Sequence, residues 1–269
     1  MLNVLLQNRR FPLTLSPFIG AWPTRFASKL AGTVASHQAY ILLHATMPPS
    51  EFPSKFSTRL QRNLQLKVMQ WGGIVNFSWS PDQPTLLPDD KTEQCCATAF
   101  FTSGKRVDIP KLTLDNLDTV EQALKHHATA SLGIQRRHDT DVYLYVCSHG
   151  ARDCRCGEYG TQLVNALRTE YQHLVYQRNG HVPRTRVHIA EVAHVGGHKH
   201  AANLIMFPQG EWLGDLRAEH ASTLLQAILE KQSHTDTEDI PLLPHHWRGR
   251  MGLNNEEQQL LYSRTTGEV

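Results

Sequence analysis

The chain has few cysteines and almost no net charge, and both shortages exclude classes of protein. Only five of its 269 residues are cysteine, whereas a small secreted domain held by disulfides has a denser and usually even set. The thiols are therefore interpreted as reduced residues or metal ligands. Lysine and arginine total 27 against 25 acids, which excludes the strongly basic surface of a nucleic-acid-binding domain. No apolar run is long enough to span a bilayer, so we expect no membrane span.

Acidic residues are missing from the start of the chain, where Glu51 is the first. The same stretch carries basic and hydroxyl residues, among them Arg9 and Thr14. An arginine-rich, hydroxyl-containing and acid-poor leader is typical of an organellar transit peptide. Residues 1–35 are therefore predicted to be a mitochondrial transit peptide or a disordered segment. The protein is expected in mitochondria, in the matrix or the intermembrane space, with the cytoplasm as the alternative.

The second half of the chain alternates strand and helix signals. Continuous β-rich apolar runs predict buried strands, and apolar residues at helical spacing predict helices. The predicted strands are 142–146, 187–192, 203–207 and 211–216, and the predicted helices are 161–177 and 218–231. A helical crossover makes the first two strands parallel, and the turn signal before the fourth strand predicts a hairpin. This β-α-β-β-β-α order is the thioredoxin-like order.

The first half repeats this order more faintly. Its predicted strands are 39–43, 73–77, 97–102 and 106–109, and its predicted helices are 54–71 and 117–127. We therefore predict an α/β fold in which a degenerate thioredoxin-like module without ligands, residues 36–138, precedes a thioredoxin-like domain, residues 139–232. A tail of residues 233–269 follows. Its Trp247 and Arg248 either cover a site from an exposed position or pack on the second module.

Two cysteines and two histidines lie in short glycine-containing loops after the two predicted parallel strands. Cys147 and Cys156 belong to the segment CSHGARDCRCG, and His194 and His198 belong to HVGGH. The carboxyl ends of parallel strands carry the ligand sites of α/β sheets, and neighbouring strands lie about 5 Å apart, so we expect the two loops to meet. Two thiolates with two imidazoles are a set of donors typical of a metal site.

The residues beside these four have predicted supporting roles. They are His149, Arg152, Asp153, Arg155, Gly157, Gly196 and Gly197. The glycines let the backbone approach a bulky group and point N–H groups at it. The histidine orders a ligand or, alternatively, is a solvent-facing loop residue. The three charged residues form either an internal ion-pair brace or a docking surface for a redox partner.

The pattern Cys-x-His-x-x-Arg-Asp-x-Arg-Cys-Gly, followed by His-x-Gly-Gly-His-x-x-Ala, resembles the sucrase/ferredoxin-like family of thioredoxin-like ferredoxins. The resemblance covers residues 39–253. It implies that Cys147, Cys156, His194 and His198 bind one [2Fe–2S] cluster, the bis-histidinyl variant of the usual four-cysteine site. The pattern leaves the position of Cys154 open, so no role is assigned to that thiol.

A cluster with two neutral imidazoles in place of two thiolates carries less negative charge and is easier to reduce, as in Rieske centres. We expect the two cysteines to share one iron and the two histidines the other, and a free imidazole nitrogen would couple electron uptake to a proton. No G-x-G-x-x-G or Walker A motif indicates a second cofactor. The prediction is an electron-transfer protein of mitochondrial redox homeostasis rather than a stand-alone enzyme, and no motif identifies its redox donor or acceptor.

Three other interpretations of the same residues stay open. Two cysteines with two histidines also make a closed tetrahedral zinc site, which would give a zinc-stabilised interaction module. Cys154 and Cys156 flank Arg155 as a possible dithiol of a thiol–disulfide oxidoreductase, although the spacing is not C-x-x-C. Cys147 and Cys156 are, in the simplest interpretation, buried structural thiols.

Overall fold

The computed structural model describes residues 30–86, 93–130, 141–177, 185–231 and 240–267. The predicted transit peptide, up to its last six residues, lies outside the described residues. The strands are β1 (Ala39–His44), β2 (Gly73–Trp79), β3 (Gln94–Phe101), β4 (Arg106–Thr113), β5 (Val142–Cys147), β6 (Val187–Val192), β7 (Leu204–Phe207), β8 (Glu211–Leu213) and β9 (Trp247–Arg250). The helices are α1 (Arg59–Val68), α2 (Leu117–Thr129), α3 (Thr161–Gln177), α4 (Ala221–Lys231) and α5 (Asn255–Thr266). None of these helices is long and apolar enough to cross a membrane.

The described strands form one sheet in the order β4-β3-β1-β2-β6-β5-β7-β8-β9. In the second half, β5 pairs in parallel with β6 and antiparallel with β7, and β7 pairs antiparallel with β8. The predicted α/β class and the thioredoxin-like order of this half are therefore confirmed. In the first half, β1, β2, β3 and β4 pair in the same pattern. The description of this half as a degenerate thioredoxin-like module stays a prediction.

The two halves of the sheet face each other across a central core. Among the described strands, backbone pairing connects the two half-sheets at two residue pairs between β2 and β6. Phe100 of β3 nevertheless stacks on Phe207 of β7 with 4.1 Å between the ring centroids. Strands so far apart in the sheet order can touch only if the sheet folds over on itself. Separate hydrophobic clusters join α1 and α2 to one half-sheet and α3 and α4 to the other, so the helices form the outer layers.

Three local predictions need correction. The strand predicted over 211–216 ends at Leu213. The helix predicted over 54–71 begins only at Arg59, because the Thr58 side chain accepts a hydrogen bond from the Gln61 N–H and caps the helix there. The strand predicted over 106–109 continues to Thr113 through Pro110. Proline is tolerated there because β4 is an edge strand of the sheet.

The tail is part of the sheet. Trp247 is fully buried and Arg248 is 3% exposed, so the interpretation of an exposed pair is wrong. Both residues belong to β9, which pairs antiparallel with β8. The buried carboxylate of Glu211 accepts a hydrogen bond from the Trp247 indole N–H and forms an ion pair with Arg250 at 2.7 Å. The aromatic residue and the acid thus fix β9 along the sheet.

Candidate metal centre

Three of the four predicted ligand side chains meet beyond the carboxyl ends of β5 and β6. Cys147 is the last residue of β5 and lies opposite Val192, the last residue of β6. The ligand atoms of Cys147, Cys156 and His194 all lie within 4.8 Å of one another. Cys156 Sγ and His194 Nδ1 are 3.9 Å apart. Both cysteines are fully buried in the central core, whereas the histidine is partly exposed.

His198 lies beside this group but outside it. Its ring centroid is 5.8 Å from that of His194, with the two rings inclined by 28°. The side chain is 53% exposed, and its Nδ1 is 4.0 Å from the Asp153 carboxylate. The structure thus brings two sulfurs and one nitrogen together, and the role of His198 as a fourth ligand stays a prediction.

The two buried thiols are hydrogen-bonded to each other. The pKa of Cys147 is lowered by a hydrogen bond from the Cys156 thiol and by the backbone N–H groups of Val195 and His149, which outweigh desolvation. The pKa of Cys156 is raised because this thiol keeps its proton towards Cys147 and is desolvated. These hydrogen bonds favour the thiolate of Cys147, the form in which cysteine binds metals.

Asp153 connects the cysteine loop to the histidine loop. Its carboxylate accepts hydrogen bonds from Arg155 and forms an ion pair with that guanidinium at 2.9 Å. Arg155 holds the pKa of Asp153 at about 2. The Asp153 carbonyl accepts from the N–H of Cys156 at 3.0 Å. Arg152 is exposed and makes no ion pair with a described residue.

A loop of the first half supports the cysteine loop from outside. His149 is 4% exposed, so the solvent-facing alternative is wrong. Its Nε2 donates to the Pro53 carbonyl at 2.9 Å, and its ring lies edge-on to Phe52 with 5.7 Å between the centroids. Since its backbone N–H also points at Cys147, this residue joins the sulfur to the opposite half of the molecule.

Glycines set how tightly the cysteine loop closes. A Cβ on Gly160 would overlap the carbonyl of Cys147. A Cβ on Gly157 would lie 2.6 Å from the Cα of Gly150, which real Cβ atoms do not tolerate. Gly157, which we expected to approach the metal group, thus packs against the returning loop. The importance of Gly150 and Gly160 could have been predicted from the sequence, because both lie within four residues of a predicted cysteine ligand.

Arg248 braces the histidine loop, and sequence reasoning did not find this role. Its guanidinium donates to Asn203 Oδ1 at 2.8 Å and to Thr33 Oγ1 at 3.1 Å. Asn203 in turn donates to the Gly197 carbonyl at 3.1 Å. A Cβ on Gly197 would overlap the guanidinium, so only glycine fits between the loop and this arginine. The left-handed φ of +80° at Gly196 also favours glycine.

Comparison with known proteins identifies the family of this chain. The profile of the family described as "Sucrase/ferredoxin-like" matches residues 30–249, which is most of the chain. The chain belongs to the sucrase/ferredoxin-like family.

The sequence of this chain is similar to those of two fungal proteins. "Actin patches distal protein 1" of Saccharomyces cerevisiae is 31% identical over 75% of this chain and 71% of that protein. "Altered inheritance of mitochondria protein 32" of Meyerozyma guilliermondii is 30% identical over 59% of this chain, and the match spans 58% of that protein's length.

A solved structure titled as a thioredoxin-like [2Fe–2S] ferredoxin from Aquifex aeolicus is also similar. It is 12% identical, covers 36% of this chain and 86% of its own chain, and has a TM-score of 0.25. A TM-score this low does not support a statement about fold or function. The fold assignment therefore depends on the strand order and pairing described above.

Proposed function

We propose that this protein binds a [2Fe–2S] cluster through Cys147, Cys156, His194 and His198 and carries single electrons in mitochondrial redox homeostasis. The observation that supports the proposal is the convergence of two buried sulfurs and one imidazole within 4.8 Å at neighbouring strand ends. Thiolate and imidazole are the ligands of iron–sulfur sites of the Rieske type. Family membership and the mitochondrial name of one relative agree with it.

The chain's own residues fit such a group. A [2Fe–2S] cluster, when bound, supplies reversible one-electron transfer. The hydrogen bond from Cys156 lowers the pKa of Cys147, which favours the thiolate that binds metals. Burial of both cysteines keeps water from the sulfur side. His194 turns Nδ1 towards Cys156, which leaves its Nε2 to hold or release a proton. Partly exposed His194 and exposed His198 form the side at which a redox donor or acceptor protein would approach.

One zinc ion is the second candidate, because a specific distance favours it. With Zn–S near 2.3 Å and Zn–N near 2.0–2.1 Å, ligands of one ion lie at most about 4.5 Å apart. The 3.9 Å between Cys156 Sγ and His194 Nδ1 fits that separation. A zinc site would make the domain a metal-stabilised interaction module without redox chemistry.

Metal and sulfide analysis of protein purified without oxygen separates the two candidates. We expect two irons and two acid-labile sulfides per chain, a reddish-brown colour that dithionite bleaches, and an EPR signal in the reduced protein. Stoichiometric zinc in a colourless protein would overturn the cluster proposal. Localisation of the tagged full-length protein tests the mitochondrial part, and exclusive cytoplasmic signal would contradict it.

A further inference from the structure

The residue directly before the predicted ligand His194 is held by the first half of the molecule. This residue, Ala193, follows β6 and is 6% exposed. Its N–H donates to the Phe77 carbonyl at 2.9 Å, and its carbonyl accepts a hydrogen bond from Asn76 Nδ2 at 3.2 Å. Phe77 and Asn76 both belong to β2. One strand of the first half therefore fixes both backbone polar groups at the start of the histidine loop.

The side-chain amide of Asn76 is itself fixed by two further hydrogen bonds. Its Oδ1 accepts from the Phe77 N–H at 2.8 Å, and its Nδ2 also donates to the Tyr40 hydroxyl at 3.0 Å. Tyr40 belongs to β1 and is 1% exposed. An amide has one acceptor oxygen and two N–H donors, so only one orientation of Asn76 satisfies all three partners. The donor that faces the Ala193 carbonyl is therefore held in place.

The imidazole of His194 depends on its backbone for its position. Among the described residues, its hydrogen-bond partner is Cys156, whose Sγ lies 3.9 Å from Nδ1. The far end of the histidine loop is held at Gly197, whose carbonyl accepts from Asn203 at 3.1 Å. The near end is held at Ala193. A functional side chain must be held within about 0.5 Å of its productive geometry, and the near end is the support that adjoins the ligand.

We propose that Asn76 is a positioning residue for the metal ligand His194. Its hydrogen bond to the Ala193 carbonyl keeps the imidazole turned towards Cys156, so that nitrogen and sulfur meet at one metal group. The inference rests on the proposed function, because it requires His194 to bind metal, and it adds a residue of the first half to the site. Removal of a group that orients a metal ligand typically weakens metal binding 10- to 100-fold.

The test compares Asn76→Leu with Gln65→Leu in the full-length protein. Gln65 of α1 is a matched control, because it also donates to a β2 carbonyl, that of Gly73 at 3.3 Å, and accepts from the Val75 N–H at 2.8 Å. These bonds lie at the end of β2 away from its pairing with β6. Each substitution removes one amide from the same strand and replaces it with an apolar side chain.

Iron and zinc are first measured in each purified protein, and release of the bound metal to a chelator is then followed. We expect Asn76→Leu to release metal about 10- to 100-fold faster than wild type and Gln65→Leu to keep the wild-type rate. If iron is bound, the EPR g values of the reduced protein should also shift in Asn76→Leu alone. Thermal unfolding of the same samples shows how much stability each variant has lost.

Two results would overturn the inference: a wild-type release rate in Asn76→Leu, or the same acceleration in both variants. If Asn76→Leu does not fold, Tyr40→Phe decides in its place, because it removes the hydroxyl that fixes the Asn76 amide. Its control is Tyr145→Phe, in the same buried cluster. We expect about 3- to 10-fold faster release in Tyr40→Phe, the effect of one hydrogen bond, and the wild-type rate in the control.

The identity of the metal separates this inference from the proposed function. Iron with equal release rates would remove the role of Asn76 and leave the cluster standing. Zinc that leaves faster from Asn76→Leu would remove the cluster and leave the positioning role standing. A wild-type protein that binds no metal would remove both.

Discussion

The two halves of the molecule share a pattern of strand pairing but differ at the end of the first strand. In the second half, β5 ends in Cys147, which faces Cys156 and His194. In the first half, β1 ends in His44. The His44 ring is held by its own half, with Nδ1 2.8 Å from the Pro84 carbonyl and Nε2 3.0 Å from the Thr98 hydroxyl. Equivalent positions thus belong to the candidate metal site in one half and to local structure in the other.

The loops after these strands differ in the same way. Residues 148–155 lead to Cys156 and close around the sulfur pair. Residues 45–58 instead reach across to the other half, where Phe52 contacts His149 and Ser50 donates to the buried Glu191 at 3.3 Å. The first half therefore contributes packing contacts, and no predicted ligand, to the candidate site.

The largest expected effect is the loss of metal when the residue at the end of β5 is replaced. Cys147→Ser removes the sulfur whose pKa is lowered by its hydrogen bonds, and a serine hydroxyl does not ionise at neutral pH to replace it. We expect the purified variant to lose most of its metal and visible absorption. His44→Gln, at the equivalent position of the first half, should keep the wild-type metal content. Full metal occupancy in the serine variant would remove Cys147 from the ligand set.

A smaller effect is expected when a ligand is exchanged rather than removed. His194→Cys replaces a neutral imidazole with a thiolate and returns the site towards the four-cysteine ferredoxin type. The protein should keep its cluster, with a reduction potential lower by on the order of 100 mV or more and a weaker pH dependence. Spectroelectrochemical titration at several pH values measures both. An unchanged potential would count against ligation by this histidine.

Stability separates two glycines that have the same left-handed backbone. Gly197 and Gly72 have φ of +63° and +84°, so alanine at either position is strained by about 1–2 kcal/mol. Only at Gly197 would the new Cβ overlap the Arg248 guanidinium. At Gly72 the nearest atom belongs to the flexible Gln38 side chain, at 3.1 Å.

Gly197→Ala should therefore lower the thermal midpoint and the metal content more than Gly72→Ala does. Thermal unfolding by circular dichroism, together with metal analysis, measures the difference. Equal losses in the two variants would show that Arg248 does not fix the histidine loop.

Local pattern predicted much of the second half. The bounds of α3 and of β6 agree with the predicted residues 161–177 and 187–192, because helical and strand periodicity are properties of the local sequence. The meeting of Cys147 with His194 followed from a general rule about parallel strand ends. The N-terminal cap at Thr58 was readable in the sequence and was overlooked.

Contacts between distant segments could not be predicted in this way. The bond from Arg248 to Thr33 spans 215 residues, and the contact of His149 with Pro53 spans 96. Both arise only when the two half-sheets pack face to face, and periodicity does not encode that packing. The position of His198 outside the group of three depends on loop conformation, which a spacing pattern also leaves open.

The smallest expected effect is a loss of stability when the contact between the two halves is weakened. His149→Phe keeps a ring against Phe52 but removes the N–H that donates to the Pro53 carbonyl. The carbonyl belongs to an exposed residue and can bond to water instead, so the loss is that of one ordinary hydrogen bond, about 1 kcal/mol. Chemical denaturation measures it, with the exposed His126→Phe of α2 as a control that should stay within about 0.5 kcal/mol of wild type.

Metal content distinguishes support from ligation in the same variant. If the first half only holds the cysteine loop in place, His149→Phe keeps its metal, because the backbone N–H that faces Cys147 is unchanged by the substitution. A variant as stable as wild type would show that the contact between the halves contributes no free energy. Loss of metal at nearly unchanged stability would instead show that the imidazole itself is needed to load or hold the site.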